Sequence, residues 1–124
     1  KFVSGSYGPE DALLSMLDEC VEKADGREYT YKLCPFKEIV QMKNGGGQTT
    51  MGRWKGWGEQ TYGSWGGKND YSRMIFENGD HCYSAGARQT EVHVVCGPES
   101  KLVSIEEPSM CKYKVLFETP GVCE

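Results

Sequence analysis

The chain has 124 residues, with 14 Lys and Arg against 18 Asp and Glu, for a net charge of −4. That length makes one domain with a core of its own, and the acidic balance excludes a binder of nucleic-acid phosphates, which needs a basic surplus. No apolar stretch approaches the ~18 residues of a membrane span, and Lys1 in place of an initiator Met reads as a mature or excised segment.

From the N-terminus, Pro9, Glu10 and Asp11 followed by Leu13, Met16, Leu17, Cys20, Val21 and Ala24 predict a helical extension over about 9–25, closed by Asp25-Gly26. After residue 26 the period changes to two. Glu28–Leu33 alternates aromatic and β-branched residues, and similar runs follow at Glu38–Met42, Tyr71–Phe76, Thr90–Cys96, Leu102–Ile105 and Tyr113–Phe117. Turn residues separate them at Asn44–Gly47, Gly66–Asp70, Asn78–Asp80, Gly97-Pro98 and Thr119–Gly121, while Gly56–Asp70 reads as a long loop or an irregular hairpin. Many short strands with frequent turns, and 16 glycines to make them, predict an all-β sandwich or flattened barrel without a βαβ rhythm.

Six cysteines stand at 20, 34, 82, 96, 111 and 123 with no C-x-x-C pair. Zinc sites bring their ligands in close pairs, so this even, widely spaced set reads as three disulfides in an oxidising compartment, with the pairing left open.

No reaction is legible. Glu106 and Glu107 are neighbours in an extended run and point to opposite faces, so they do not make the facing pair a glycosidase needs. The even cysteine count leaves no spare nucleophile, His81 and His93 read as structural, and Gly45–Gly47 lacks the Lys-Ser/Thr of a phosphate loop. No catalytic residue, metal or cofactor is expected. A binding module remains, with Trp54, Trp57, Trp65 and several tyrosines beside Gly-rich loops. Each Trp reads first as core packing and second as an apolar face for a sugar.

Specific motifs sharpen this. Cys34-Pro-Phe-Lys-Glu-Ile-Val-Gln41 is followed by Trp54-Lys-Gly-Trp57, then Gly79-Asp-His-Cys82-Tyr-Ser-Ala-Gly-Ala-Arg88, Val94-Val-Cys96-Gly, Glu107-Pro-Ser-Met-Cys111-Lys-Tyr113 and Thr119-Pro-Gly-Val-Cys123. In this order they resemble the mannose 6-phosphate receptor homology (MRH) lectin domain, and within it the branch found in beta subunits of endoplasmic reticulum glucosidase II. The resemblance implies a flattened barrel or sandwich of two antiparallel sheets over about 27–123, in a single domain spanning 1–124. It implies the disulfides Cys20–Cys34, Cys82–Cys111 and Cys96–Cys123, and mannose held by Gln41, Arg88, Glu107 and Tyr113. Trp54, Trp57 and Tyr83 are candidate flanking contacts. Implied partners are high-mannose N-glycans and a catalytic alpha subunit, the latter bound through regions outside this chain.

The chemistry suits the implied ligand. Gln41 offers an acceptor and donors, Arg88 donors only, ionised Glu107 acceptors only and Tyr113 either. Such a set rejects a hexose whose axial or equatorial hydroxyl leaves one partner unpaired. The branch commonly has Trp where this chain has Tyr83. Asp80-His81 is similar to the phosphate-contacting segment of the mannose 6-phosphate receptors, but without a second cationic cluster it reads as a turn. Rival readings are the gamma subunit of the N-acetylglucosamine-1-phosphotransferase, a degradation lectin, a subunit-docking module with a vestigial pocket, and a small secreted hydrolase.

Overall fold

The computed structural model describes residues 20–59 and 69–120. Eight strands form one sheet: β1 (Val21–Ala24), β2 (Tyr29–Cys34), β3 (Glu38–Lys43), β4 (Gln48–Glu59), β5 (Asn69–Glu77), β8 (Gln89–Cys96), β9 (Lys101–Ser109) and β10 (Lys112–Thr119). A short hairpin of β6 (His81–Cys82) and β7 (Gly86–Ala87) stands apart from it, joined by a tight 3₁₀ turn at Tyr83–Ala85. The sheet order is β1-β2-β3-β4-β5-β8-β10-β9. Its edge strands β1 and β9 approach within 8 Å between Cα atoms but share no ladder, so the sheet curls into a nearly closed barrel with one seam.

The strands follow from alternation. In β10, Tyr113, Val115, Phe117 and Thr119 are buried while Lys112 and Lys114 are exposed; in β8, Thr90, Val92 and Val94 are buried. Period two sends every second side chain to one face, and those faces enclose Leu33, Ile39, Met51, Met74, Phe76, Val92, Val115 and Phe117. Each large side chain so buried is worth roughly 1.5–3 kcal/mol over its exposed state.

Two expectations need correction. Residues 9–19 of the expected helix lie outside the described residues, but its C-terminal part is a strand: β1 pairs antiparallel with β2, Val21 opposite Leu33 and Lys23 opposite Tyr31. The Cys20–Cys34 bond clamps the start of β1 to the end of β2, and ladder pairing plus an inward Val21 override a local helical period. Nor are there two antiparallel sheets. The main sheet is continuous, and β8 and β10 run parallel, Gln89 opposite Lys112 through Cys96 opposite Thr119. The cause is chain order. β9 departs to the seam and β10 returns between β9 and β8, where its inner row gains covered neighbours on both sides.

The strand runs beginning near 28, 38, 71, 90, 102 and 113 all form. The expected irregular hairpin is seen in its two arms, β4 and β5, whose register shifts between Trp54 and Gly56 and again between Trp57 and Gly58. Of the implied disulfides, Cys20–Cys34 and Cys82–Cys111 are formed. The third, Cys96–Cys123, lies outside the described residues.

Candidate functional site

The four side chains of the implied quartet are dispersed along the chain, and each lies two residues from an inward-facing one. Gln41 follows buried Ile39 by two residues, Arg88 precedes buried Thr90 by two, Glu107 follows the core-packed Ile105 by two, and Tyr113 precedes buried Val115 by two. Tyr113 is itself in the core, Gln41 and Arg88 are half-buried, and Glu107 is exposed.

Contacts link them. Arg88 Nε donates to the Tyr113 hydroxyl at 3.3 Å, and Arg88 Nη1 donates to the carbonyls of Asp80 (3.3 Å) and His81 (2.9 Å). Gln41 Nε2 donates to the Tyr31 hydroxyl at 3.3 Å, and Tyr31 sits opposite Gln41 in the β2–β3 ladder. Glu107 Oε2 accepts the backbone N–H of Cys111 at 2.6 Å. Burial pushes the Tyr113 hydroxyl above its ordinary value; the charge of Glu107 and the proximity of Tyr31 add to this, while the Arg88 hydrogen bond opposes it. The Tyr113 proton is thereby retained as a donor.

What each group still offers can be counted from its chemistry. Arg88 has spent Nε and Nη1, so its two Nη2 hydrogens have no partner among the described residues. Glu107 keeps Oε1, Gln41 keeps its amide oxygen, and Tyr113 keeps its own hydrogen. Donors and acceptors are thus both left over in this set. That pattern fits a neutral ligand rich in hydroxyls better than an anion, which would meet Glu107.

Tyr31 was not among the candidates read from the sequence. Its alternation with buried Leu33 and its place across a short turn from Gln41 were the signals that could have found it. The flanking candidates divide. Trp54 and Trp57 join Phe36 and Phe76 in an edge-to-face cluster with centroids 5.0–5.7 Å apart. The Trp54 N–H bonds to the Lys37 carbonyl, four residues along the chain from Gln41, or about 13 Å at strand rise. These two rings are partly buried and pack against the core. Tyr83, by contrast, is 87% exposed at the tip of the β6–β7 hairpin that leads directly into Arg88.

Of the expected turn at Asp80-His81, Asp80 stands in a bend, whereas His81 opens β6 and pairs with Ala87. Asp80 Oδ2 accepts the Thr50 N–H at 2.9 Å, and both residues turn their carbonyls to Arg88. His93 pairs with Glu91 on the outer face. Burial there works to raise the Glu91 pKa, but hydrogen bonding and charge from Arg73, with His93 adding, hold its carboxyl below the ordinary value.

One glycine holds the Arg88 segment in place. Gly79 N–H donates to the Arg88 carbonyl at 2.8 Å, and a Cβ at this position would stand 2.6 Å from the Thr50 carbonyl oxygen and 2.9 Å from that of Arg88. Gly79→Ala is expected to cost about 1–3 kcal/mol, as overpacking does. Urea unfolding would show the loss, and amide resonances of Arg88 and Tyr113 would shift although both side chains are unchanged. Wild-type stability and spectra would contradict this.

The family model for glucosidase II beta subunit-like proteins matches residues 3–124. The glucosidase 2 subunit beta of Bos taurus is 36% identical over 124 residues, covering 98% of this chain and 22% of the relative. The human N-acetylglucosamine-1-phosphotransferase subunit gamma is 35% identical over 99 residues, covering 77% of this chain and 30% of the relative. The chain thus spans about a fifth to a third of the length of these curated relatives. Among solved structures, the crystal structure of the MRH domain of glucosidase II beta bound to mannose matches with a TM-score of 0.68 and 22% identity, over 90% of this chain and 99% of that one. The barrel described above is the MRH fold.

Proposed function

The chain belongs to the glucosidase II beta subunit-like family, and on that premise we propose that it is a non-catalytic lectin domain holding a mannose of high-mannose N-glycans in the lumen of the endoplasmic reticulum. The observation that carries this is that Arg88 is hydrogen-bonded to Tyr113 and Gln41 to Tyr31, while Glu107 and Tyr31 both lie close enough to Tyr113 to raise the pKa of its hydroxyl, which leaves two guanidinium N–H groups, a phenol O–H, an amide oxygen and a carboxylate oxygen unspent. A related MRH domain was solved bound to mannose, and the unspent groups match the needs of adjacent ring hydroxyls.

In mechanism, Arg88 donates to hydroxyl oxygens, Glu107 Oε1 and the Gln41 amide oxygen accept hydroxyl protons, and Tyr113 donates its retained proton. A glucose-type equatorial 2-hydroxyl would leave one of these partners unpaired beneath the bound sugar. Tyr83 flanks the ligand from the hairpin tip. The charged bonds supply most of the affinity, yet one hexose offers little area, which sets a Kd of ~0.1–10 mM. A weak contact suffices. Carried on a beta subunit, this domain raises the residence of the glycan near a catalytic alpha subunit that trims glucose, an effective-concentration effect.

The test is an NMR titration of the chain with methyl α-mannoside and methyl α-glucoside. Selective, saturable shifts at Gln41, Arg88, Glu107 and Tyr113 with the mannoside alone are expected. Equal response to both sugars, or none near these residues, would replace the lectin reading with a docking module.

A further inference from the structure

Two turns of the chain carry the dipeptide Asn-Gly, at Asn44-Gly45 between β3 and β4 and at Asn78-Gly79 after β5. The side-chain amide of Asn has an electrophilic carbon, Cγ, within reach of the backbone nitrogen of the next residue. A glycine at that next position has no Cβ to bar the approach. The two turns set this same chemistry in opposite surroundings.

At Asn44 the nucleophile is unengaged. Residues 44–47 are exposed, Gly45 has a φ of +84°, and a Cβ on Gly45, Gly46 or Gly47 would meet nothing within 4 Å. The turn uses the N–H groups of Lys43 (to the Gly47 carbonyl, 3.0 Å), Asn44 (to the Glu28 carbonyl, 2.7 Å) and Gly46 (to the Lys43 carbonyl, 2.9 Å). The Gly45 N–H has no partner among the described residues. The Thr30 hydroxyl donates to Asn44 Oδ1 at 3.3 Å, the oxygen on which charge develops when Cγ is attacked. At Asn78 the same atoms are held. Gly79 N–H donates to the Arg88 carbonyl at 2.8 Å, and the Asn78 carbonyl accepts from Arg53 Nη1. Gly79 is also packed so closely that a Cβ there would lie 2.7 Å from the Met51 carbonyl carbon.

We propose that Asn44 is a site of self-modification, converting the β3–β4 turn to an aspartyl or isoaspartyl form, while the fold protects the same dipeptide at Asn78-Gly79. The Gly45 nitrogen attacks Asn44 Cγ. An N–Cγ bond forms, the Cγ–Nδ2 bond breaks, and the side-chain nitrogen leaves as ammonia with the hydrogen that Gly45 gives up. Water then opens the cyclic imide. Addition at Cγ gives an ordinary aspartyl residue, and addition at the Asn44 main-chain carbonyl leaves Gly45 joined through Cγ, an isoaspartyl linkage. Water is the only co-reactant, and loss of the Gly45 proton makes the rate climb with pH. Either product adds a carboxylate to a chain already at −4. The isoaspartyl form also adds a methylene to the backbone between Asn44 and Gly45. The bonds from Lys43 to Gly47 and from Gly46 to Lys43 span that insertion and do not both keep their length. This turn closes the strand pair in which Gln41 stands opposite Thr49, and the inference holds whether or not a sugar binds there.

The experiment incubates the whole chain at mildly alkaline pH and body temperature, and maps its tryptic peptides by mass spectrometry over weeks, with an unincubated digest as the blank. Lys43 and Arg53 bound the peptide carrying Asn44, and Arg73 and Arg88 bound the one carrying Asn78, so each amide is scored alone. In the folded chain Asn44 should lose its amide at least roughly tenfold faster than Asn78, the weight of one net hydrogen bond. With the disulfides reduced in urea the two rates should converge. The proposal is overturned if the folded chain keeps Asn44 intact through the time in which the unfolded chain converts it, or if Asn78 keeps pace with Asn44 in the folded chain. Rates that stay as far apart in urea would overturn it too, because sequence and not the fold would then set them.

Discussion

Arg88→Ala removes measurable mannose binding while the barrel stays folded. The guanidinium is anchored on three protein oxygens, those of Tyr113, Asp80 and His81, so its free Nη2 edge is held in one orientation before any ligand arrives. A hydrogen bond to a charged group is worth about 1.5–3 kcal/mol, and each ~1.4 kcal/mol is tenfold in Kd. Losing one such bond moves a millimolar site out of range, and Nη2 can make two. The fold loses less, because the Asp80 and His81 carbonyls stand at the barrel rim where water replaces the donor. The measurement is a titration with methyl α-mannoside beside a thermal melt and an amide spectrum of β8 and β10. Arg88→Lys keeps the charge without the fork, and it too should fail, since one ammonium cannot hold two carbonyls and still present two donors to the ligand. Binding within twofold of wild type in either variant would remove Arg88 from the site.

Much of this arrangement was legible because strand physics is local. Alternation in Tyr113–Phe117 and Thr90–Cys96 marks the inward rows directly, with Tyr113 in the first and Arg88 just before the second. The even cysteine count limited chemistry before any geometry was known. What escaped depends on long-range partners. Val21–Ala24 carries a helical period and becomes a strand only because Cys20 is bonded to Cys34 and β2 offers a ladder. β4 reads as loop because its glycines weaken strand propensity. Yet Gly52 is there so that Phe76 can cross closely: a Cβ at that position would lie 2.7 Å from the Phe76 Cβ. The parallel β8–β10 pair has no sequence signature, since its register is set by where β9 goes. Trp54 and Trp57 were ambiguous for a related reason. Aromatic residues beside glycines serve a binding face or a barrel corner equally well, and only the edge-to-face contacts with Phe36 and Phe76 decide for the corner.

The two described disulfides offer a way to separate the site from the stability of the whole. Cys82–Cys111 spans 29 residues and Cys20–Cys34 spans 14. Loop entropy assigns them similar weight, about 3.6 and 3.0 kcal/mol, or a fall in Tm of roughly 10–15 °C for either double alanine variant. Their positions differ. Cys82–Cys111 ties the hairpin that leads into Arg88 to the turn that follows β9, and the Cys111 N–H itself holds the carboxylate of Glu107 near the end of β9. Both cysteines are nearly buried, 3% and 7% exposed, so the staple belongs to the rim of the core. Cutting it lets the donor arm and the acceptor arm of the site move independently, and a ligand that needs both at once must order them on binding. Cys82→Ala with Cys111→Ala should therefore weaken mannose binding at least tenfold at a temperature where the variant is fully folded. Cys20→Ala with Cys34→Ala should melt about as early and bind mannose as wild type does. Equal weakening in both variants would mean that affinity tracks global stability, and that the hairpin and the β9–β10 turn need no covalent tie to meet around a sugar.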